Sequence, residues 1–205
     1  MKRSRSMISF SDYFCILLCQ MEAKIDCYHE RQRLQLCALH SLNNLFQRPL
    51  FDKKKLDSIV KKYDRSMFWN EYSSFYTGNY DLAIILEALQ CENHTLKAIS
   101  NDEPLEQFNY EECLGILLNI SIEGMLRNVL PFIDYFSKPG RHWLVLKTFD
   151  KKQFYNLDSK LSRPKLIGDR TELIKHLQNY REQGSYIYLV INADIAKQFE
   201  HSPFN

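Results

Sequence analysis

The apolar pattern of this 205-residue chain changes period part-way along, and that change limits the folds open to it. In the first half, apolar residues recur at helical spacing. Residues 53–64 place Leu56, Ile59, Val60 and Tyr63 at i, i+3, i+4 and i+7, with lysines turned outward. Residues 79–90 repeat the pattern with Leu82, Ile85, Leu86 and Leu89, behind Gly78 as a breaker and Asn79 as the expected cap. Residues 36–47 carry Leu39, Leu42 and Phe46 at the same spacing in more apolar surroundings, as a buried helix does. The second half has short runs instead. Gly115 to Ile120 reads as a core strand. Trp143 to Phe149 and Gln153 to Leu157 flank a polar turn at 150–152, the pattern of an antiparallel hairpin. Asp169, with Glu172 three residues on, opens a helix with Leu173, Ile174, Leu177 and Tyr180 on its apolar face. Tyr186 to Ile191 closes the series as a β-rich strand. Helices first and strands later predict an α+β fold, a helical part packed against an antiparallel sheet.

Composition narrows the function. A formal charge of +2, from 27 Lys+Arg against 25 Asp+Glu, lacks the footprint of a nucleic-acid binder. With 25% charged and 13% aromatic residues the chain is not intrinsically disordered, and at this length it buries roughly 70% of its unfolded surface. No apolar run approaches the ~18 residues of a transmembrane span. The 6 glycines form no GxG, which argues against phosphate loops and nucleotide chemistry. Six cysteines (Cys15, Cys19, Cys27, Cys37, Cys91, Cys113) make an even count, but a chain able to build a core does not need a disulfide framework. No CxxC occurs, and Cys15, Cys19, Cys27 and His29 fit no common zinc spacing. Reduced thiols, a cytoplasmic location, no metal and no cofactor are the expectation.

Residues 1–27 differ from the rest. Lys2, Arg3 and Arg5 precede the apolar run Phe14 to Cys19, in the manner of a signal peptide. The run is only six residues, Asp12 sits just before it, and no small-x-small cleavage site follows. The segment is read as an extension, loose or a short helix, with Met21 as an alternative start. A single domain is expected over 28–192, with 193–205 as a tail.

Three segments carry candidate chemistry. Cys37 opens the helix at 36–47, where unpaired backbone N–H groups and the positive end of the macrodipole favour thiolate; a buried inert thiol is the alternative. His142, between Arg141 and Trp143, sits at the mouth of the hairpin, where the large aromatic can hold the imidazole in one orientation; a structural histidine is the alternative. Tyr155-Asn156-Leu157-Asp158-Ser159 lies on the returning strand, from which a polar side chain can reach that ring; a strand-end Asx turn is the alternative. An early Cys at a helix start, followed far downstream by His and then Asn or Asp, is the papain-type order of nucleophile, base and orienting group. An amide side chain before the nucleophile, with the Cys37 backbone N–H, would form the oxyanion hole.

These residues resemble a known family. Residues 28–47, YHERQRLQLCALHSLNNLFQ, are similar to the opening of the Josephin domain, a group of cysteine-protease deubiquitinases that includes the polyglutamine ataxin. The similarity continues through TGNYDLAIILEALQ, GILLNI, RHW and YNLDSKL to the strand YIYLVI, and is greatest to the small stand-alone members. It implies a papain-like fold that cleaves the isopeptide or peptide bond after the C-terminal glycine of ubiquitin, with ubiquitin or polyubiquitin conjugates as partners. It implies Cys37 as nucleophile, His142 as general base and Gln32 as the oxyanion-hole amide. Asp158 falls where the ataxin has its catalytic asparagine, and Asn156 matches a second, upstream asparagine; Asp158 is the expected third member. Asn156 and Trp143 are then supporting residues. A catalytically silent ubiquitin-binding module is the competing reading, disfavoured because all four catalytic positions are filled; acyl transfer to amines is another. His40, three residues after Cys37 on roughly the same helical face, offers a rival Cys37–His40 dyad, disfavoured because the inner face of that helix is needed for packing; His29 and His94 are left without a role. The aromatic-rich stretch 61–76 is a candidate flap over the cleft or a packed loop.

Overall fold

A computed structural model of the chain describes residues 26–33, 36–63, 80–121 and 141–200. Three helices come first: α1, Cys37–Phe46; α2, Lys53–Tyr63; and α3, Leu82–Gln90. Strand β1, His94–Ile99, follows, then two single 3-10 turns, Leu105–Gln107 and Tyr110–Glu112. The remaining elements are β2 (Gly115–Ser121), β3 (Arg141–Thr148), β4 (Phe154–Asn156), β5 (Lys165–Gly168), α4 (Arg170–Glu182), β6 (Tyr186–Asn192) and α5 (Ala193–Glu200).

The strands form one sheet in the order β1-β6-β2-β3-β4-β5, every neighbouring pair antiparallel. Both of its faces are covered. Leu117, Trp143 and Val145 face α1–α3 and pack with Leu42, Leu45, Leu56 and Leu89. Leu118, Leu144, Leu146 and Phe154 face the other way, against the 3-10 turns and Leu173 and Leu177 of α4. Burial on both sides is why β2 and β3 read as unbroken apolar runs rather than alternating ones. The hairpin read from sequence is β3–β4, with Lys147 opposite Tyr155.

Several sequence expectations are refined. The third helix starts at Leu82 rather than residue 79, because the Asp81 carboxylate accepts from the backbone N–H groups of Ala83 and Ile84 and caps it. Its buried face is Ile84, Ile85, Ala88 and Leu89, and Leu82 is 38% exposed. The expected cap Asn79, residues 1–25 and the aromatic stretch from 64 onward lie outside the described residues. Asp169 caps α4 as expected, accepting from Thr171 and Glu172 N–H. Residues 193–200, read as tail, are helical: Asn192 caps α5, and Ala193 N–H donates to Asn93 O at 2.9 Å.

Gly115 lets β2 pass close to Leu45 of α1. A Cβ there would lie 2.6 Å from Leu45 Cδ1 and 3.1 Å from the Leu146 carbonyl oxygen. Gly115→Ala is expected to cost ~1–3 kcal/mol by overpacking, and Leu117→Ala ~2–5 kcal/mol by leaving a cavity. Urea unfolding followed by circular dichroism measures both.

Candidate active site

Helix α1 begins at Cys37, and its N-cap Leu36 has no side-chain oxygen to satisfy the first-turn N–H groups. The positive end of the helix therefore faces the Cys37 sulfur, which is buried at 5% exposure. His142 is the second residue of β3, opposite Ile120 of β2, and is 2% exposed. Asp158 stands just past β4, in a turn closed by Leu161 N–H donating to its carbonyl at 2.9 Å. These three residues, 121 positions apart at the extremes (158 − 37), meet where α1, β3 and the turn after β4 converge.

His142 Nε2 lies 2.7 Å from Asp158 Oδ1. A carboxylate accepts only, so this contact keeps a proton on Nε2 and leaves Nδ1 to exchange a proton with the Cys37 sulfur. The same Asp158 oxygen accepts from Lys160 N–H at 2.9 Å. Burial pushes the Cys37 thiol up, but hydrogen bonding to His142, the backbone N–H of Trp143, the imidazole charge and the N–H of Ala38 outweigh it and bring the thiol below its ordinary value. Burial opposes the imidazolium of His142, and hydrogen bonds to Asp158 and Cys37 overcome that, raising its pKa. Burial likewise opposes the Asp158 carboxylate, and His142 and the Lys160 N–H hold it below the usual range. All three directions favour thiolate, imidazolium and carboxylate together. A sulfur held this way is a nucleophile with a proton donor beside it, the equipment of acyl-transfer chemistry.

Of the two residues open as the imidazole's partner, Asp158 touches the ring. Asn156 stands one step behind: its Oδ1 accepts from Asp158 N–H at 2.8 Å, and its side chain bonds the Tyr180 hydroxyl of α4. Trp143 is a core anchor, donating from Nε1 to Tyr80 O at 3.1 Å, with its ring 6.1 Å from that of Tyr188. Gln32 is tied to the turn bearing Asp158: its N–H donates to Ser159 O at 2.7 Å, and its Oε1 accepts from Ser159 Oγ at 3.4 Å. The amide therefore points its donor end away from Ser159.

Sequence reasoning passed over the polar face of α1. His40 does not serve Cys37; its Nδ1 lies 2.6 Å from Glu30 Oε2, and its Nε2 accepts from Arg33 N–H at 3.2 Å. Glu30 also accepts from Asn43 Nδ2 at 3.1 Å and from the Tyr28 hydroxyl. Asn44 Nδ2 donates to Leu157 O at 3.0 Å, and its Oδ1 accepts from Glu30 N–H at 2.6 Å. Through these contacts one helix grips both the extended segment carrying Gln32 and the turn carrying Asp158. The signal available was the run His40-Ser41-Leu42-Asn43-Asn44, polar residues inside an otherwise buried helix. His29 Nε2 contacts Leu161 O at 3.1 Å, bracing the same turn, whereas His94 Nδ1 contacts Glu92 O far from it.

A helical layer on an antiparallel sheet, with Cys at a helix start and His and Asp on adjacent strand ends, is the papain-like α+β fold. The family model described as Josephin matches residues 32–191, and the chain belongs to the Josephin family. It is 35% identical over 175 residues to Josephin-2 of Homo sapiens, an alignment covering 83% of this chain and 89% of that one. It is 32% identical over 169 residues to the Josephin-like protein of Drosophila melanogaster, covering 82% and 74%. Similarity to Homo sapiens Ataxin-3 is 29% over 175 residues, 80% of this chain and 45% of that one. Among the described residues no helix is long and apolar enough to cross a membrane.

The pKa directions set a pH dependence. Alkylation requires thiolate, so Cys37 should keep reacting at pH values below those at which an ordinary thiol, with pKa about 8.5, has fallen silent. Asp158→Asn removes the charge that supports imidazolium, and the inflection for Cys37 should move upward. Rates of iodoacetamide modification at Cys37, mapped by mass spectrometry from pH 5 to 10, measure both; an unmoved inflection rules out electrostatic support from Asp158.

Proposed function

We propose that this protein is a thiol-dependent deubiquitinase, hydrolysing the isopeptide or peptide bond after the C-terminal glycine of ubiquitin in ubiquitin and polyubiquitin conjugates. The observation that carries this reading is the His142 Nε2–Asp158 Oδ1 contact of 2.7 Å behind a Cys37 thiol of lowered pKa, in a chain of the Josephin family. Cys37 thiolate attacks the glycine carbonyl carbon, and the carbonyl oxygen takes the negative charge. The backbone N–H of Cys37 and the side-chain amide of Gln32 stabilise it. Such a donor is worth ~2.7–4 kcal/mol of barrier. As the C–N bond breaks, imidazolium Nδ1–H gives its proton to the departing amine. The thioester left on Cys37 is then cleaved by a water whose proton passes to Nδ1 as the Cys37 sulfur leaves, regenerating the thiolate and imidazolium. Asp158 holds the ring in the tautomer both steps need. A cytoplasmic site of action fits the free thiols of Cys27, Cys37, Cys91 and Cys113.

The deciding experiment is reaction with ubiquitin bearing a C-terminal electrophile, read by intact mass. Wild type is expected to gain one ubiquitin and Cys37→Ala none. Hydrolysis of a fluorogenic ubiquitin amide should fall ~10³-fold or more in His142→Ala and ~10²-fold in Gln32→Ala, with folding checked by circular dichroism. Ubiquitin binding without an adduct would make the chain a binding module instead.

A further inference from the structure

The end of the sheet remote from His142 holds a cavity of about 800 Å³, within the range of ligand pockets. Lys147, in its wall, lies five positions along β3 from His142, about 17 Å at the rise of a strand. Phe108, Leu189, Ile191 and Ile195 make much of the wall, and Phe149 and Ile195 stay exposed at 37% and 49%. Lys147, half-buried, lines the same space, and its Nζ donates to the carbonyl of Leu114.

The charged neighbours of that amine are spoken for. Glu111 pairs with Arg170 at 2.8 Å and Glu112 with Lys151 at 2.7 Å. Lys97 lies over the Phe108 ring, 5.2 Å from its centroid, and adds a second cation. His94 Nδ1 is on the Glu92 carbonyl, and burial together with Glu111 and Glu112 pushes the Cys113 thiol up to about 11. Among the described residues no carboxylate pairs with Lys147. Burial alone brings its amine down to about 8. The Leu114 carbonyl gives the amine a hydrogen-bond partner but no counter-charge, and a desolvated ammonium lacking a counter-charge is costly.

We infer that this cavity is a binding site for a small aliphatic carboxylate, its chain against Phe108, Leu189, Ile191 and Ile195 and its carboxylate on Lys147. The ligand supplies the missing counter-charge, and the apolar wall takes the tail. This site stands apart from the Cys37–His142 centre and holds whether or not the protein cleaves ubiquitin.

Octanoate and 1-octanol, titrated calorimetrically into the full-length protein at pH 7.5, separate the charge from the tail. Octanoate is expected to saturate one site at least about tenfold more tightly than octanol, the size of one charge-assisted hydrogen bond. Cys113 lines the cavity and Cys91 is exposed elsewhere. Octanoate should therefore slow N-ethylmaleimide labelling of Cys113 and leave Cys91 unchanged. Lys147→Met keeps the chain length without the charge, and should lose the preference for octanoate while still binding octanol. Equal affinities, no saturable octanoate binding, undiminished binding by Lys147→Met, or unprotected Cys113 would each overturn the inference. The wild-type comparisons decide even where the variant fails to fold.

Discussion

Everything at the site depends on a helix that is buried along almost its whole length yet carries polar side chains. Residues Cys37 to Leu45 of α1 are all buried. Inside a protein an unpaired hydroxyl or amide costs ~1–3 kcal/mol, so each polar group there must find a partner, and each partner it finds becomes fixed. Ser41 Oγ donates to the Trp143 carbonyl at 2.9 Å, joining α1 to β3 beside His142. Asn43 exchanges bonds of 2.8 Å with both backbone groups of Phe51, and holds the entry to α2. Asn44 reaches Leu157 O, and His40 reaches Glu30. The helix that presents Cys37 thus also sets the strand of His142, the turn of Asp158 and the segment of Gln32. Satisfying hydrogen bonds and aligning the site are one constraint.

Burial works against every ion in the Cys37, His142 and Asp158 group, yet all three lean toward their charged forms. Hydrogen bonds supplied by the backbone and by the three residues to each other account for this. The fold supplies these donors because the site lies where a helix N-terminus, a strand start and a tight turn end together, each leaving N–H groups outside its own ladder. Asn156 and Tyr180 extend the support through the sheet to α4 on the opposite face. The second face of the sheet is therefore part of what holds Asp158 in place.

The covered sheet also explains what was legible in the sequence. β2, β3 and β6 are central, and their apolar runs announced them. β1 and β5 are the edges, β1 interrupted by Lys97 and β5 only four residues long, and carried too little pattern to be read. The start of α3 differs from the sequence expectation because Asn79 and Asp81 are both good capping residue types, and only the folded chain shows the Asp81 carboxylate accepting from the N–H groups of Ala83 and Ile84. α5 was missed because its charged residues mask an amphipathic pattern that begins immediately after a strand ends.

The sequence alone determined the fold class and the central elements, because helical and strand periodicities are local properties of a chain, and its resemblance to the Josephin family pointed to Cys37, His142, Asp158 and Gln32 as candidates. Which of Asp158 and Asn156 touches the imidazole, which ring nitrogen faces the sulfur, and why His40 is occupied elsewhere were decided by the tertiary structure. So was the grouping of Lys147 with an apolar cavity. Those outcomes depend on contacts between residues 10 to 105 positions apart, and no spacing along the chain encodes the direction in which a side chain points once strands and helices pack.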